Sequence, residues 1–351
     1  MKKFLSVLLI VALLFTMVAC AGGTKKTDNL VGISMPTQDL QRWNQDGANM
    51  KEKFEAAGYT VDLQYANNEV ATQVSQIENL IASGAKVLVI AAIDGSTLSS
   101  VLATAKEAGI VTIAYDRLIM DTDAVSYYCT FDNYMVGTIQ GTYIKDQLKL
   151  DEGGKYNIEI TGGDPADNNA LYFYQGAIDV LQPYIDSGVL TVVSGQIEFE
   201  EVATPAWSTE TSQARMEAIL ASFYADGTQL DACLCSNDST AKGVTNALAS
   251  SYTGKYPIVT GQDCDIVNTK DIIAGKQSMS IFKDTRTLAA QTVTMVNDIL
   301  AGKTPEVNDT ESYDNGTGII PTYLCAPVFA DINNYEELLV ESGYYTADEL
   351  K

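Results

Sequence analysis

The chain contains no histidine and has few basic residues. Its 351 residues include 22 lysines and arginines against 45 aspartates and glutamates, which gives a formal net charge of −23. Without histidine, serine–histidine–aspartate and cysteine–histidine catalysis, histidine-ligated zinc and the commonest general base are all excluded. The excess of negative charge repels phosphate backbones and anionic lipid headgroups, so we expect no nucleic-acid partner.

Long apolar runs are missing after the first twenty residues. Two lysines precede a short apolar run at 4–19, which is too short to span a bilayer comfortably. The sequence MVAC at 17–20 matches a bacterial lipobox, which predicts a lipoprotein signal peptide at 1–20 with lipid on Cys20. An uncleaved anchor and a plain secretory signal are the alternatives, and each places the folded part outside the cytoplasm. Small and polar residues at 21–29 predict a flexible tether.

The chain contains only six cysteines. With Cys20 lipidated, five of the six cysteines remain, an odd number. Cys233 and Cys235 lie two apart in a strand-like stretch and would face the same side, but this spacing strains a disulfide and metal partners are missing. We therefore predict buried free thiols. No stretch matches the Asp-rich calcium loop, so we expect neither a metal nor a cofactor.

Apolar strands alternate with amphipathic helical stretches along the rest of the chain. With 46% apolar residues and this length, the sequence suits two α/β domains. Strands are predicted at 30–35, 60–65, 86–93, 110–115, 156–161, 190–193, 230–235 and 256–260, and helices at 40–57, 70–83, 98–108, 170–185, 213–223, 239–249 and 266–274. Two runs of strand–helix units predict two doubly wound parallel sheets, whose ligands bind at the carboxyl ends of the strands.

Polar side chains that can form two hydrogen bonds at once follow these strands repeatedly. The clusters contain Arg42 with Trp43, Asp116 with Arg117, Asp167 with Asn169, Asn237, Asp263 and Lys283. Each has an alternative interpretation, since Asp and Asn after a strand often cap the next helix, Asp116 and Arg117 could form a structural ion pair, and Trp43 could belong to the core. Their repetition along one edge favours a binding site.

The chemistry of these side chains suits a sugar. Each sugar hydroxyl both donates and accepts, so carboxylates, amides and guanidinium groups can bind neighbouring hydroxyls in pairs. The apolar faces of a pyranose pack on aromatic rings, which Trp43 and Trp207, the only two tryptophans, could supply. Three basic and three acidic candidates sum to zero charge, which favours a neutral polyol over a phosphate or an amino acid. Asp164 directly after Gly162-Gly163 also argues against a phosphate cradle.

At these residues the chain resembles the bacterial periplasmic sugar-binding protein family of type I fold, and it looks closest to the multiple-monosaccharide and xylose-binding branch. The likeness covers 30–351. The stretches that carry it are 31–37 with Arg42 and Trp43, 75–79, 114–119, 130–133, 163–170, 261–263 and 281–286.

The resemblance implies a pyranose held between two lobes that are joined by three crossing segments. The N-terminal lobe would comprise 30–131 and 284–312, and the C-terminal lobe 132–283 and 313–351. The ligand-binding residues would be Arg42, Trp43, Asp116 and Arg117 from the first lobe, and Asp167, Asn169, Trp207, Asn237, Asp263 and Lys283 from the second. Cys264 departs from the commoner form of the family, and we expect it to pack behind the site.

The expected function is that of an extracytoplasmic solute-binding lipoprotein. Hinge closure would capture a free aldopyranose of the xylose, glucose, galactose or arabinose class, and an ABC permease would receive it without chemistry on the ligand. The sequence does not decide between these sugars, which differ by one hydroxyl or hydroxymethyl group.

Three other functions are alternatives to this one. A sensor that presents a sugar or a furanosyl signal to a chemoreceptor or histidine kinase would use the same fold and pocket. A glycosidase acting through two aspartates is disfavoured because neighbouring basic residues would keep those acids ionised. The signal segment and the lack of a helix-turn-helix before Leu30 disfavour a sugar-responsive repressor.

Overall fold

The computed structural model describes residues 29–351 and divides them between two parallel β-sheets flanked by helices. The predicted signal peptide, Cys20 and residues 21–28 of the predicted tether lie outside the described residues. Within 29–351, no helix combines the length and the apolar character needed to cross a membrane.

The first lobe is built on a six-stranded sheet. Its elements are β1 (Leu30–Met35), α1 (Gln41–Ala56), β2 (Thr60–Tyr65), α2 (Val70–Ala82), β3 (Val87–Ile90), α3 (Ser99–Glu107), β4 (Val111–Tyr115), β5 (Val125–Phe131), α10 (Thr285–Leu300) and β11 (Thr322–Cys325). The strand order is β11-β5-β4-β3-β1-β2, and all pairs are parallel. Helices cover both faces of the sheet, so every residue of β1 and β3 is buried, as their continuous apolar sequences predict.

The second lobe is built on a four-stranded parallel sheet of order β7-β6-β8-β9. Its elements are α4 (Asn133–Leu148), β6 (Tyr156–Thr161), α5 (Asn168–Asp186), β7 (Leu190–Val192), α6 (Phe199–Val202), α7 (Thr209–Phe223), β8 (Ala232–Cys235), α8 (Asp238–Ser251), β9 (Ile258–Val259), α9 (Ile266–Ile273), β10 (Met279–Phe282) and β12 (Val328–Asp331). β10 and β12 form a separate antiparallel pair beside this sheet. The two doubly wound lobes confirm the predicted fold class.

Helix α4 is absent from the sequence prediction, and glycine explains why. Gly137 and Gly141 interrupt its apolar pattern, because they lie where α4 packs closely on α5. A Cβ at Gly137 would lie 2.0 Å from the carbonyl oxygen of Phe173. The same residues that weaken the helical signal therefore allow the two helix backbones to approach.

Three short segments connect the lobes, at 132, at 283–284 and at 326–327. The last of them corrects a prediction, because residues 313–325 do not join the second lobe. Thr322–Cys325 pairs with β5 at the edge of the first sheet, and Tyr313 packs on Tyr128 of the same lobe. Tyr313 also contacts Tyr172 of the second lobe, with ring centres 5.2 Å apart, but the chain is part of the second lobe from β12 onward, through β10 and the cluster around Cys264 and Phe282.

All five cysteines of the described residues are buried free thiols, as predicted. Cys233 and Cys235 lie in the same core cluster of the second lobe. Burial raises the pKa of the Cys233 thiol far above its ordinary range, so it is held protonated as a core side chain.

Candidate ligand-binding site

A cavity lined by side chains of both lobes lies between them, at the carboxyl ends of the strands of both sheets. All ten residues predicted from the sequence line it, namely Arg42, Trp43, Asp116, Arg117, Asp167, Asn169, Trp207, Asn237, Asp263 and Lys283. All ten side chains are buried, so the lobes are closed over the cavity.

Arg42 is the basic residue with most partners at this site. It lies in the first turn of α1, and its guanidinium donates at 2.8 Å to the carboxylates of Asp46 and Asp116. Its third carboxylate partner is Asp263 of the second lobe, at 3.4 Å. Arg42 therefore joins two acids of its own lobe to one acid across the cleft.

Asp116 follows β4 in a left-handed backbone conformation, with φ of 60°. Its carbonyl oxygen accepts hydrogen bonds from the hydroxyls of Tyr128 (2.5 Å) and Thr130 (2.9 Å) of its own lobe, and from the side-chain amide of Asn169 (2.6 Å) across the cleft. These donors stabilise a conformation that costs free energy in a residue other than glycine. The conformation allows the Asp116 carboxylate to reach Arg42.

Arg117 fills the space between the end of β3 and the second lobe. Its Nη1 donates to the carbonyl oxygens of Ala92 (3.0 Å) and Ile93 (3.2 Å), and its Nε lies 2.9 Å from a carboxylate oxygen of Asp167. Arg42 and Arg117 both lie over the indole of Trp43, at 4.4 and 5.1 Å from the ring centre. Their charges therefore stabilise the position of that ring.

Asp263 and Lys283 face these groups from the second lobe. Asp263 follows β9 with φ of 102°, and Lys283 directly follows β10. The Lys283 ammonium lies 3.2 Å from Asp263 and 3.9 Å from Asp116. It also lies 5.6 Å from the ring centre of Phe173.

Two of the predicted site residues cap a helix and also line the cavity. Asp167 caps α5 by accepting from the main-chain N–H of Asn169, and Asn237 caps α8 by accepting from that of Thr240. Both caps lie at the cavity wall, since a helix begins where its preceding parallel strand ends. The same residues can therefore cap a helix and line the site.

Trp207 lies on the second-lobe wall beside Phe173, with ring centres 6.2 Å apart. Its ring lies so close to Gly163 that an added Cβ there would come within 2.0 Å of it. The glycine after β6 is therefore required by the position of the indole.

Burial raises the pKa of the acids at the site, and neighbouring basic residues lower it. Burial raises the pKa of the Asp116 carboxyl, but Arg42, Lys283 and Arg117 together bring it below its ordinary range. For Asp167, burial raises the pKa more than the charge of Arg117 lowers it. Burial also raises the pKa of Asp46 to about 6, against the lowering effect of Arg42.

Comparison with known proteins agrees with this geometry. A family model described as a periplasmic binding protein domain matches residues 31–304. The chain belongs to the periplasmic binding protein family.

Two curated relatives and one solved structure show where in the family this protein lies. The multiple sugar-binding periplasmic receptor ChvE of Rhizobium radiobacter is 52% identical over 326 residues, or 92% of each chain. The D-xylose-binding periplasmic protein of Escherichia coli is 34% identical over 91% of this chain and 92% of its own. An ABC transporter solute-binding protein from Clostridium phytofermentans, solved with β-D-glucose, is 67% identical with a TM-score of 0.91, covering 92% of this chain and 100% of that one.

This periplasmic binding protein also has site residues that the sequence analysis misses. Leu40, Phe173 and Gln262 line the cavity, and Asp46 supports Arg42 from behind. Phe173 lies one helical turn after Asn169, so i, i+4 spacing could have found it. Cys264, expected behind the site, is buried in a cluster with Phe282 and Tyr345, which confirms its placement.

Proposed function

We propose that this protein captures a free aldopyranose of the glucose, xylose, galactose or arabinose class outside the cytoplasmic membrane and delivers it to an ABC importer. The named relatives bind multiple sugars or D-xylose, and the related solute-binding protein from Clostridium phytofermentans holds β-D-glucose. The Arg42–Asp263, Arg117–Asp167 and Asn169–Asp116 contacts across the cleft carry the proposal.

A neutral polyol suits these contacts better than a charged ligand. The cavity contains basic and acidic side chains that already pair with one another, so a ligand that adds hydroxyls without net charge leaves the pairs intact. Gln262 supplies a further group, because its Oε1 is buried and has no hydrogen-bond partner within residues 29–351. A sugar hydroxyl could donate to this oxygen.

Hinge closure supplies the mechanism of capture. Trp43 and Trp207 lie on opposite walls, so a pyranose that contacts both is held by both lobes and stabilises the closed form. We propose that no chemistry is performed on the ligand, since the named relatives are a sugar-binding receptor and a sugar-binding protein.

The membrane attachment and the lobe boundaries are part of this proposal. Lipid on Cys20 and a tether at 21–29 would keep the protein close to its permease outside the cytoplasm. The first lobe would comprise 30–131, 284–312 and the corrected stretch 313–325, and the second lobe 132–283 and the chain after 326. Replacement of Cys20 by Ala should abolish labelling by radioactive palmitate if the lipobox interpretation is right.

Calorimetric titration of the chain from residue 21 against a panel of monosaccharides tests the function, with Asp263→Ala as the matched variant. We expect an aldopyranose to bind with micromolar or tighter affinity and the variant to lose binding while it stays folded. If no monosaccharide binds the folded protein, the proposal is wrong.

A sensory role is the second candidate, because the Rhizobium radiobacter relative is named a receptor. The closed, sugar-loaded form would be presented to a chemoreceptor or histidine kinase rather than to a permease. Cross-linking in the presence and absence of sugar separates the two roles by the partner that is recovered.

A further inference from the structure

Two adjacent tyrosines near the C-terminus lie between the lobes without lining the cavity. Tyr344 and Tyr345 belong to the chain after β12, which packs on the second lobe in a cluster with Cys264, Phe282 and Leu339. The two rings stack edge to face with centres 4.8 Å apart, and Tyr344 stacks in the same way on Phe282. The pair is therefore anchored to the second lobe through its rings.

The hydroxyl of Tyr345 connects this anchor to α1 of the first lobe. It accepts from the side-chain amides of Gln41 (2.6 Å) and Gln45 (3.2 Å), and it donates to the carbonyl oxygen of Cys264 (3.0 Å). This buried hydroxyl therefore makes three hydrogen bonds. It accepts two from the first lobe and donates one to the second lobe.

The oxygens of the same two glutamines complete the connection. Gln45 Oε1 accepts from the Tyr344 hydroxyl at 3.1 Å, and Gln41 Oε1 accepts from the main-chain N–H of Ile266 at 3.1 Å. Each glutamine therefore bonds the second lobe through both ends of its amide.

The position of this network relative to the cavity gives it a functional meaning. Gln41 directly precedes Arg42 on α1, and Cys264 directly follows Asp263. Asp263 and Cys264 both have positive φ, with values of 102° and 51°. The Tyr345 hydroxyl therefore joins the two segments that carry Arg42 and Asp263, and it fixes a carbonyl in a backbone stretch that is costly for residues other than glycine.

We propose that Tyr345, with Gln41 and Gln45, is an interlobe latch that sets the closing equilibrium without touching the ligand. The inference rests on the proposed capture by closure. Contacts that join the lobes stabilise only the closed form, so their loss lowers the apparent affinity by lowering the closed fraction. Because the latch does not contact the sugar, every sugar should lose the same factor.

Tyr345→Phe tests the latch, and Tyr335→Phe is its matched control. Tyr335 lies earlier in the same tail, and its hydroxyl bonds to the neighbouring Glu336. We expect Tyr345→Phe to weaken each sugar about tenfold, equivalent to about 1.4 kcal/mol, mainly through faster dissociation in stopped-flow measurements. The ratios between sugars should not change, and Tyr335→Phe should bind as the wild type does.

A double-mutant cycle with Gln41→Ala adds a readout that a merely structural role would not move. If the two residues act through one latch, Tyr345→Phe should cost much less in the Gln41→Ala background. Additive losses, an unchanged affinity of Tyr345→Phe, or altered ratios between sugars would each overturn the proposal.

Small-angle scattering of the sugar-free proteins separates failure of the latch from failure of the proposed function. If the wild type binds no sugar, the proposed function fails, but the latch still predicts a larger radius of gyration for Tyr345→Phe than for Tyr335→Phe. Equal radii in the sugar-free proteins, together with equal affinities where sugar binds, would show that the tyrosine hydroxyl does not control closure.

Discussion

The two walls of the cavity hold their charged groups in different ways. On the first-lobe wall, Arg42 is supported by Asp46 and Asp116 of the same lobe, and Arg117 by two main-chain carbonyls after β3. On the second-lobe wall, Lys283 pairs with Asp263 of its own lobe, and both reach across to Asp116 and Arg42. Arg42 and Arg117 of the first wall therefore have several partners within their own lobe, whereas Lys283 has one such partner, Asp263, and gains Asp116 on closure.

This difference predicts that loss of a charge affects stability and ligand binding differently on the two walls. A group supported within its lobe contributes to the stability of the free protein, while a group whose partners arrive on closure contributes mainly to binding. Ligand affinity and the unfolding free energy of the sugar-free protein can be measured separately, so the comparison can be tested.

Replacing the main basic residue of each wall should give the largest effect. We expect Arg42→Met and Lys283→Met each to weaken sugar binding by about a hundredfold or more, since each removes a partner of buried carboxylates. Arg42→Met should also lower the unfolding free energy of the sugar-free protein by about 3 kcal/mol, because Asp46 and Asp116 lose their partner. Lys283→Met should lower the same free energy by less than Arg42→Met does, because Lys283 has a single carboxylate partner, Asp263, in its own lobe.

Titration calorimetry and urea unfolding without sugar measure the two quantities. Circular dichroism of both variants provides the control for folding. If Lys283→Met destabilises the sugar-free protein as much as Arg42→Met does, the two walls are assembled alike and the comparison is wrong.

Gly163→Ala tests whether the two tryptophans of the walls are held in place differently. Trp43 is held by the two arginines above it, whereas Trp207 depends on the empty space at Gly163. An added methyl group would displace the Trp207 ring, and we expect about tenfold weaker sugar binding from the lost packing, equivalent to about 1.4 kcal/mol.

Gly162→Ala is the neighbouring control, since its added Cβ would meet a methyl group of Val202 at 3.1 Å instead of an indole. Calorimetric titration of both variants with the same sugar gives the answer. Wild-type affinity in Gly163→Ala would mean that Trp207 does not contribute to the bound state.

Local signals in the sequence predict the architecture and nine of the ten wall residues, whereas Trp207 is predicted from its aromatic ring and from the family resemblance. Alternating apolar strands and amphipathic helices define the sheets, and the carboxyl ends of parallel strands converge on one edge. The edge strand Thr322–Cys325 shows the limit of this argument. Its partner β5 lies nearly two hundred residues earlier, and no local pattern indicates which sheet a short strand will join.

Asp46 shows a second limit. It lies in the polar stretch Asn44-Gln45-Asp46, which is typical of an exposed helix face. Its carboxylate is nevertheless fully buried, because Tyr115 donates to it at 2.5 Å and Arg42 covers it. Both partners reach Asp46 only after helix α1 has packed on the sheet, so tertiary structure decides the environment of this acid.

The second lobe has its own acid with a raised pKa, the half-buried Asp265, and the contrast with the fully buried Asp46 gives the smallest effect. Burial and the charge of Asp263 raise the pKa of Asp265 to about 7, despite the lowering effect of Arg42 and Lys283. Its Oδ1 is buried and has no hydrogen-bond partner within residues 29–351, whereas Asp46 bonds Arg42 and Tyr115. For both acids the pKa in the folded protein exceeds the ordinary value of 3.8, so folding takes up protons.

The contribution of these two acids to stability should therefore fall as pH rises from about 4 to about 7, because the unfolded chain releases their protons at lower pH than the folded one does. Asp265→Asn removes a charge whose Oδ1 has no partner and breaks no side-chain hydrogen bond, so we expect its unfolding temperature to exceed that of the wild type by a few degrees at pH 8 and to equal it near pH 4. Asp46→Asn removes the same kind of charge but loses the support of Arg42, so it should gain no stability at pH 8 and should bind sugar more weakly. Calorimetric unfolding at several pH values compares the two variants. A lower unfolding temperature for Asp265→Asn at pH 8 would mean that its carboxylate is stabilised in the fold, and that Asp46 and Asp265 are supported in the same way.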